Sequence, residues 1–94
     1  MATPKIVEKI KTDLRITHTA LDGDISDTVD ACMEDLYIVG IQVTEPPDAT
    51  TLAAIKLYCR SAYTDDTGKA EAYMARYNAM KATLMMAKGY RADD

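Results

Sequence analysis

The sequence predicts an all-α chain folded as a small four-helix bundle. Three observations carry that prediction. Apolar residues recur at steps of three and four in four separate stretches, which is the spacing of one helix face. The composition favours helix: 48% of the 94 residues are hydrophobic, with six methionines and no Phe or Trp, and the alternating β-branched runs of a sheet protein are absent. Each stretch is also bounded by residues that start or stop helices. A chain of this length makes one domain, residues 1–94.

The first helix is expected over about residues 4–15. Thr3 caps it, and Pro4 sits at the first helical position, where a missing N–H costs nothing. Ile6, Val7, Ile10 and Leu14 form its inner face, with Lys5, Glu8, Lys9 and Asp13 on the wet side. A polar turn from Thr17 to Asp24 follows. Thr19-Ala20-Leu21-Asp22 has capping-box spacing, so a second helix begins between Thr19 and Asp24 and spans about 21–39. Its stripe is Leu21, Ile25, Val29, Cys32, Leu36 and Val39. Gly40 supplies a left-handed stop, and Ile41 can fold back on the last turn. The rest of the chain reads as packing against this second helix.

The linker Gln42 to Ala49 contains Glu45-Pro46-Pro47, and two adjacent prolines predict an extended, stiff segment. Asp48 or Thr50 then caps a third helix, about 51–63, with Leu52, Ile55, Cys59 and Ala62 inside. Thr64 to Gly68 is a turn. The fourth helix covers about 69–88, roughly 30 Å at 1.5 Å per residue. Its stripe, Ala70, Tyr73, Tyr77, Met80, Leu84 and Ala87, is a heptad seam.

Net charge is −4, which argues against a free duplex-DNA binder and an anionic membrane surface. The charge is uneven: residues 1–47 hold four basic and nine acidic side chains, and residues 48–94 hold seven and six. The N-terminus has no apolar stretch of the signal-peptide kind, and no run approaches the roughly 18 apolar residues of a membrane span. Cys32 and Cys59 lie on apolar stripes. They are expected as small core residues in a reducing cytoplasm, where burial raises a thiol's pKa and makes it inert.

Catalytic and metal motifs are missing. An EF-hand loop counted from Asp22 requires Gly sixth and Glu twelfth, and those places hold Asp27 and Met33. His18 is the single histidine and belongs to a polar turn, and neither CxxC nor HxxxH spacing occurs. Phosphate and dinucleotide loops are absent as well. The expectation is a non-enzyme without metal or cofactor.

What the sequence does offer is a charge layout. Asp27, Asp30 and Glu34 share one face of the second helix. In the heptad register of the fourth, Lys69 and Arg76 fall at g and Lys81 and Lys88 at e, so the seam is flanked by positive charge. Such positions choose partners. Asp27, Asp30, Glu34, Lys69, Arg76, Lys81, Lys88 and Tyr90 are therefore the candidate interface residues. The acids and bases can match within one subunit or between neighbours. Tyr73 and Tyr77 read as core, and Tyr37, Tyr58, Tyr63 and Tyr90 as partly exposed. Met74, Met80, Met85 and Met86 read either as core filling or as an adaptable contact surface.

The order of these elements resembles a known family. A helix ends in Leu14-Arg15-Ile16, and a Thr17-His18-Thr19 turn leads into an acid-rich helix stopped by Gly40. A proline linker follows, then a helix containing Ile55-Lys56-Leu57-Tyr58. The combination, over roughly residues 5–90, is similar to the small head–tail connector (adaptor, or head-completion) proteins of tailed bacteriophages and prophages. The resemblance implies a small helical bundle that can be monomeric before assembly in the host cytoplasm. In the virion it implies a ring, commonly dodecameric, beneath the portal at the head–tail interface. The ring extends the DNA channel and offers a platform to a stopper or tail-completion protein, and DNA passes through it without sequence-specific binding. The family commonly reaches the portal with a terminal helical segment, and here Tyr90 to Asp94 is short for such an arm. The competing expectation is a small helical DNA-binding regulator or packaging-recognition subunit. Its third and fourth helices would mimic a helix-turn-helix, with Lys69, Arg76, Lys81, Lys88 and Arg91 as the bases.

Overall fold

A computed structural model describes residues 2–87 and contains four helices: α1 (Pro4–Leu14), α2 (Asp22–Ile38), α3 (Ala49–Tyr63) and α4 (Thr67–Met86). The described residues contain no strand, so the fold class is the one the apolar spacing predicts. The body measures 40 × 30 × 19 Å. Its short axis is roughly two helix diameters, so every helix keeps a solvent face.

Local chemistry sets most of the boundaries. The Thr3 hydroxyl accepts from the Ile6 N–H at 3.3 Å, with Pro4 at the first position. α1 ends where Arg15 turns left-handed, at φ 60°, with Arg15 N–H donating to Thr12 O and Ile16 N–H to Lys11 O. Only glycine adopts that conformation without a side-chain penalty, which for other residues is about 1–2 kcal/mol. Glycine's greater unfolded-state freedom offsets part of the gain. Arg15→Gly should therefore raise the unfolding free energy by about 0.5–1 kcal/mol, read by urea denaturation. No change, or a loss, would show that Arg15 makes a compensating contact.

The capping box at the start of α2 does not form. Leu21 occupies the cap position without a side-chain bond, and Asp22 N–H donates instead to the Thr19 carbonyl at 3.1 Å. The Asp22 carboxylate is engaged elsewhere, 2.9 Å from the ammonium of Lys11. Asp22 and Asp24 still place negative charge in the first turn, where the helix dipole favours it. At the other end Gly40 takes φ 88°, and Ile41 N–H reaches back to Leu36 O at 2.9 Å. Ile41 is fully buried, the fold-back its sequence position suggests.

The linker is bent, not extended. The Glu45–Pro46 bond is cis, and the Thr44 hydroxyl donates to Pro46 O at 2.9 Å. Asp48 then accepts from Thr51 N–H at 2.8 Å and caps α3, while Asp66 accepts from Lys69 N–H at 3.0 Å and caps α4. These side-chain caps start α3 and α4 two residues earlier than the apolar spacing alone indicates.

The centre of the bundle is α3, not α2. α3 packs against each of the other three helices, and its most extensive contact is with α4. The reason lies in its side chains. Small residues such as Ala53, Ala54 and Ser61 let neighbours approach from several directions, and Thr51, Ala54, Ile55 and Cys59 are buried. α2 buries one stripe, Ile25, Val29, Cys32 and Leu36, and leaves Asp27, Ala31, Glu34, Tyr37 and Ile38 exposed. Leu21, Val39 and Leu52 are half-buried and Ala62 is exposed. The α4 seam is shallower than a heptad implies: Tyr77 and Leu84 are buried, and Ala70, Tyr73, Met80 and Ala87 only partly so.

Charge also enters the interior. Asp13, expected on the wet side, has a side chain only 10% exposed. It is gripped by Arg60 of α3 through two bonds of 2.8 and 2.6 Å. The Arg60 guanidinium also lies 5.9 Å from the centre of the Tyr73 ring on α4, so one side chain ties three helices. A bidentate pair of this kind specifies geometry as well as adding energy.

Candidate subunit interface

The two sides of α2 do different work. One residue turns an α-helix by about 100°, so adjacent acids face different neighbours. Asp35 faces α4. Its carboxylate accepts from the Tyr77 hydroxyl at 2.6 Å and from Lys81 Nζ at 2.9 Å. The Lys81 ammonium also lies 5.3 Å from the Tyr77 ring centre, and the Tyr58 ring meets Tyr77 edge-on at 5.2 Å. The Tyr77 hydroxyl is 3.8 Å from Cys32 Sγ. This cluster is the acid–base match between α2 and α4 inside one subunit, and it uses Asp35 rather than Asp27, Asp30 or Glu34. Lys81 is therefore part of the bundle's own clasp and not of its free surface.

The hydrogen bond from Tyr77 holds the Asp35 carboxyl below its ordinary pKa, and Lys81 adds to this. Burial, with Asp35 beside it, pushes the Tyr77 phenol far up. Burial and the bond to Asp24 push Tyr63 up to about 12, and its hydroxyl also lies 3.3 Å from that of Thr28. Both phenols are bound as neutral donors, so their raised pKa values contribute stability that is complete below about pH 10. That stability is lost as pH rises from there toward 12 and beyond, because the unfolded chain releases the protons first. Tyrosinate absorbance should therefore rise in two stages. Tyr63 and Tyr77 belong to the later stage, which coincides with loss of helical circular dichroism. A single stage near pH 10 with the helices intact would contradict the buried donor roles.

Asp27 and Glu34 are exposed, and Asp30 is partly buried, accepting from the Ala2 backbone N–H. Asp30 and Glu34 stand on the rim of a groove of about 700 Å³, with Met33, Tyr37, Ile41 and Val43 supplying its apolar surface and Gln42 its remaining wall. Tyr37 is 66% and Ile38 73% exposed. Two large apolar side chains in the open beside an acid-rimmed groove form a contact surface typical of interfaces. Tyr37 is legible in the sequence as a partly exposed tyrosine. Ile38 is not foreseen, although its place off the apolar stripe is a readable signal of surface use.

On α4, Lys69 and Arg76 are exposed, and no ion pair joins either to another described residue. Lys88 and Tyr90 lie outside the described residues. The methionines divide: Met74 and Met80 pack partly against the core, while Met86 is 85% exposed at the end of α4.

Burial pushes both free thiols, Cys32 and Cys59, up to about 12 and keeps them protonated. His18 is exposed in the α1–α2 turn. Among the described residues no group of three or more His, Cys, Asp or Glu is placed to hold a metal ion. None of the helices within them is long and apolar enough to cross a membrane. Comparison with known protein families, characterised proteins and solved structures finds no match.

Proposed function

We propose that the chain is a structural, non-enzymatic subunit of a phage head–tail connector ring. The ring docks beneath a portal, extends the DNA channel and offers a platform to the next head-completion or tail protein, in the virion after assembly from the host cytoplasm. Such a subunit requires no cofactor, and DNA slides through without sequence-specific contacts. The reading rests on the resemblance of the Leu14–Ile41 and Ile55–Tyr58 segments to that family and on one structural observation. Asp35 and Lys81 pair inside the subunit, while Asp27 and Glu34 on α2 and Lys69 and Arg76 on α4 stay exposed without ion-pair partners among the described residues. Opposite charges on separate faces suit a head-to-tail contact between copies, the kind that closes into rings. The apolar neighbours Tyr37 and Ile38 supply area that exposed ion pairs, at about 0–1 kcal/mol each, do not.

Negative-stain images of the protein mixed with its cognate portal should show an added ring. A portal that stays bare across a range of protein concentrations and salt would sink the proposal.

A DNA-binding regulator or packaging-recognition subunit remains the second reading, and one observation favours it. Lys69 and Arg76 are exposed and not covered by the α4 packing, so they are open to phosphates. The net charge of −4 opposes it. Steeply salt-dependent DNA binding in a fluorescence titration would support this reading over the first.

A further inference from the structure

Ile41 forms an isolated backbone bridge, yet no other residue from 2 to 87 forms one. A bridge joins two stretches of backbone, so the second stretch lies outside the described residues. The Ile41 N–H is already given to Leu36 O at 2.9 Å. That leaves the flanking groups, Gly40 C=O and Gln42 N–H, to face the partner, and neither bonds to the backbone of another described residue. Met1 is a poor source. It adjoins Ala2, whose N–H donates to Asp30, eleven positions before Ile41. Eleven positions are about 16 Å of helix, against about 3.6 Å for one residue.

The stretch after Ala87 is well placed. α2 and α4 run in the same direction, because Cys32 meets Tyr77 and, further along both helices, Asp35 meets Lys81. Six positions beyond Asp35 stands Ile41, and six beyond Lys81 stands Ala87. α3 runs the opposite way, with Tyr58 against Tyr77 and Arg60 against Tyr73, so its start at Asp48 comes to the same end of the bundle. Neighbouring helix axes lie about 8–10 Å apart, a gap that three extended residues cross at about 3.3–3.6 Å each. Charge agrees with the placement. Asp48 has an interaction beyond its bond to the Thr51 N–H, and Lys88 and Arg91 follow Ala87 directly.

We propose that the segment Lys88–Arg91 straps this end of its own subunit, pairing backbone to backbone with Ile41. The strap ties the α2–α3 linker to the end of α4. It also blunts the Ile41–Val43 edge, since an unpaired backbone edge invites pairing with another chain. Every contact lies within one copy, so the inference stands apart from the connector reading.

The test uses the full-length protein with benzoylphenylalanine in place of Tyr90, as an equal mixture of isotopically heavy and light copies. Irradiation should give a cross-link within one copy that maps to residues 40–48, with a yield unaffected by dilution. Heavy–light cross-links, a map to another surface, or no cross-link would overturn the proposal. Hydrogen exchange gives a second readout without the photoreactive group. The Gln42 amide should exchange several-fold faster in Tyr90→Pro and Arg91→Pro, each of which removes a backbone donor from the segment, and in a chain stopped after Ala87. The Ile10 amide inside α1 serves as the reference for overall stability. A Gln42 rate that follows the Ile10 rate in all three would equally remove the strap.

Discussion

Replacing Tyr77 with alanine should lower the unfolding free energy by about 3–5 kcal/mol, the usual cost of deleting a buried aromatic. Tyr77 is 1% exposed and joins α4 to two helices at once. Its ring meets Tyr58 of α3, and its hydroxyl donates to Asp35 of α2. Tyr77→Phe separates the two contributions. It keeps the ring and removes the donor, and should cost about 1–3 kcal/mol because Asp35 and Cys32 lose their shared partner. Lys81 remains on Asp35 at 2.9 Å, which keeps the expected loss toward the lower end. Urea denaturation followed by helical circular dichroism gives both values. Should phenylalanine cost as much as alanine, the polar cluster and not the packing would dominate at this position.

Leu84→Ala should cost about 2–5 kcal/mol. Leu84 is 2% exposed in the last turns of α4, seven residues beyond Tyr77 and about 10 Å along the helix. At that separation the two losses should nearly add. A domain of this size has roughly 5–14 kcal/mol in all at about 0.05–0.15 kcal/mol per residue, so the double variant should be largely unfolded. A loss below about 1 kcal/mol for Leu84→Ala would mean that the last turns of α4 are not packed in the isolated subunit. That outcome would also weaken any docking contact that depends on where α4 ends.

These two residues separate what the apolar spacing of α4 could tell from what it could not. The three-four alternation places Tyr77 and Leu84 on the buried side, and they are buried. It places Ala70, Tyr73, Met80 and Ala87 there equally, and these are half-exposed. Periodicity gives the direction of a face but not the number of helices that cover it. α4 lies mainly on α3 alone, so only Tyr77 and Leu84 of its stripe are closed over.

The interface residues divide in the same way. Asp27 and Glu34 are exposed as their helix face suggests, and Asp30 and Glu34 fall on one groove. Their neighbour Asp35 takes the basic partner on α4 that the charge pattern offered to all of them. A heptad register marks Lys81 as a partner-choosing position, but it does not say that the chosen acid lies inside the same subunit. Asp13, Lys11 and Arg60 gave no local sign of being gripped. Each is a charged residue within an amphipathic pattern, and each finds its partner across the bundle.

The sequence by itself determined four helices, their order, the Thr3 cap, the two candidate caps of α3 of which the structure takes Asp48, the Gly40 stop and the return of Ile41. All of these depend on residues within a few positions of one another, where capping, left-handed φ and helical spacing act. Only the tertiary structure decided that α3 and not α2 is the centre, that Asp35 takes Lys81, and that Ile38 and Tyr37 stand open beside an acid-rimmed groove. Those outcomes depend on which faces meet. Contacts between residues some 40 positions apart are set by the packing of whole helices, and no local spacing encodes them.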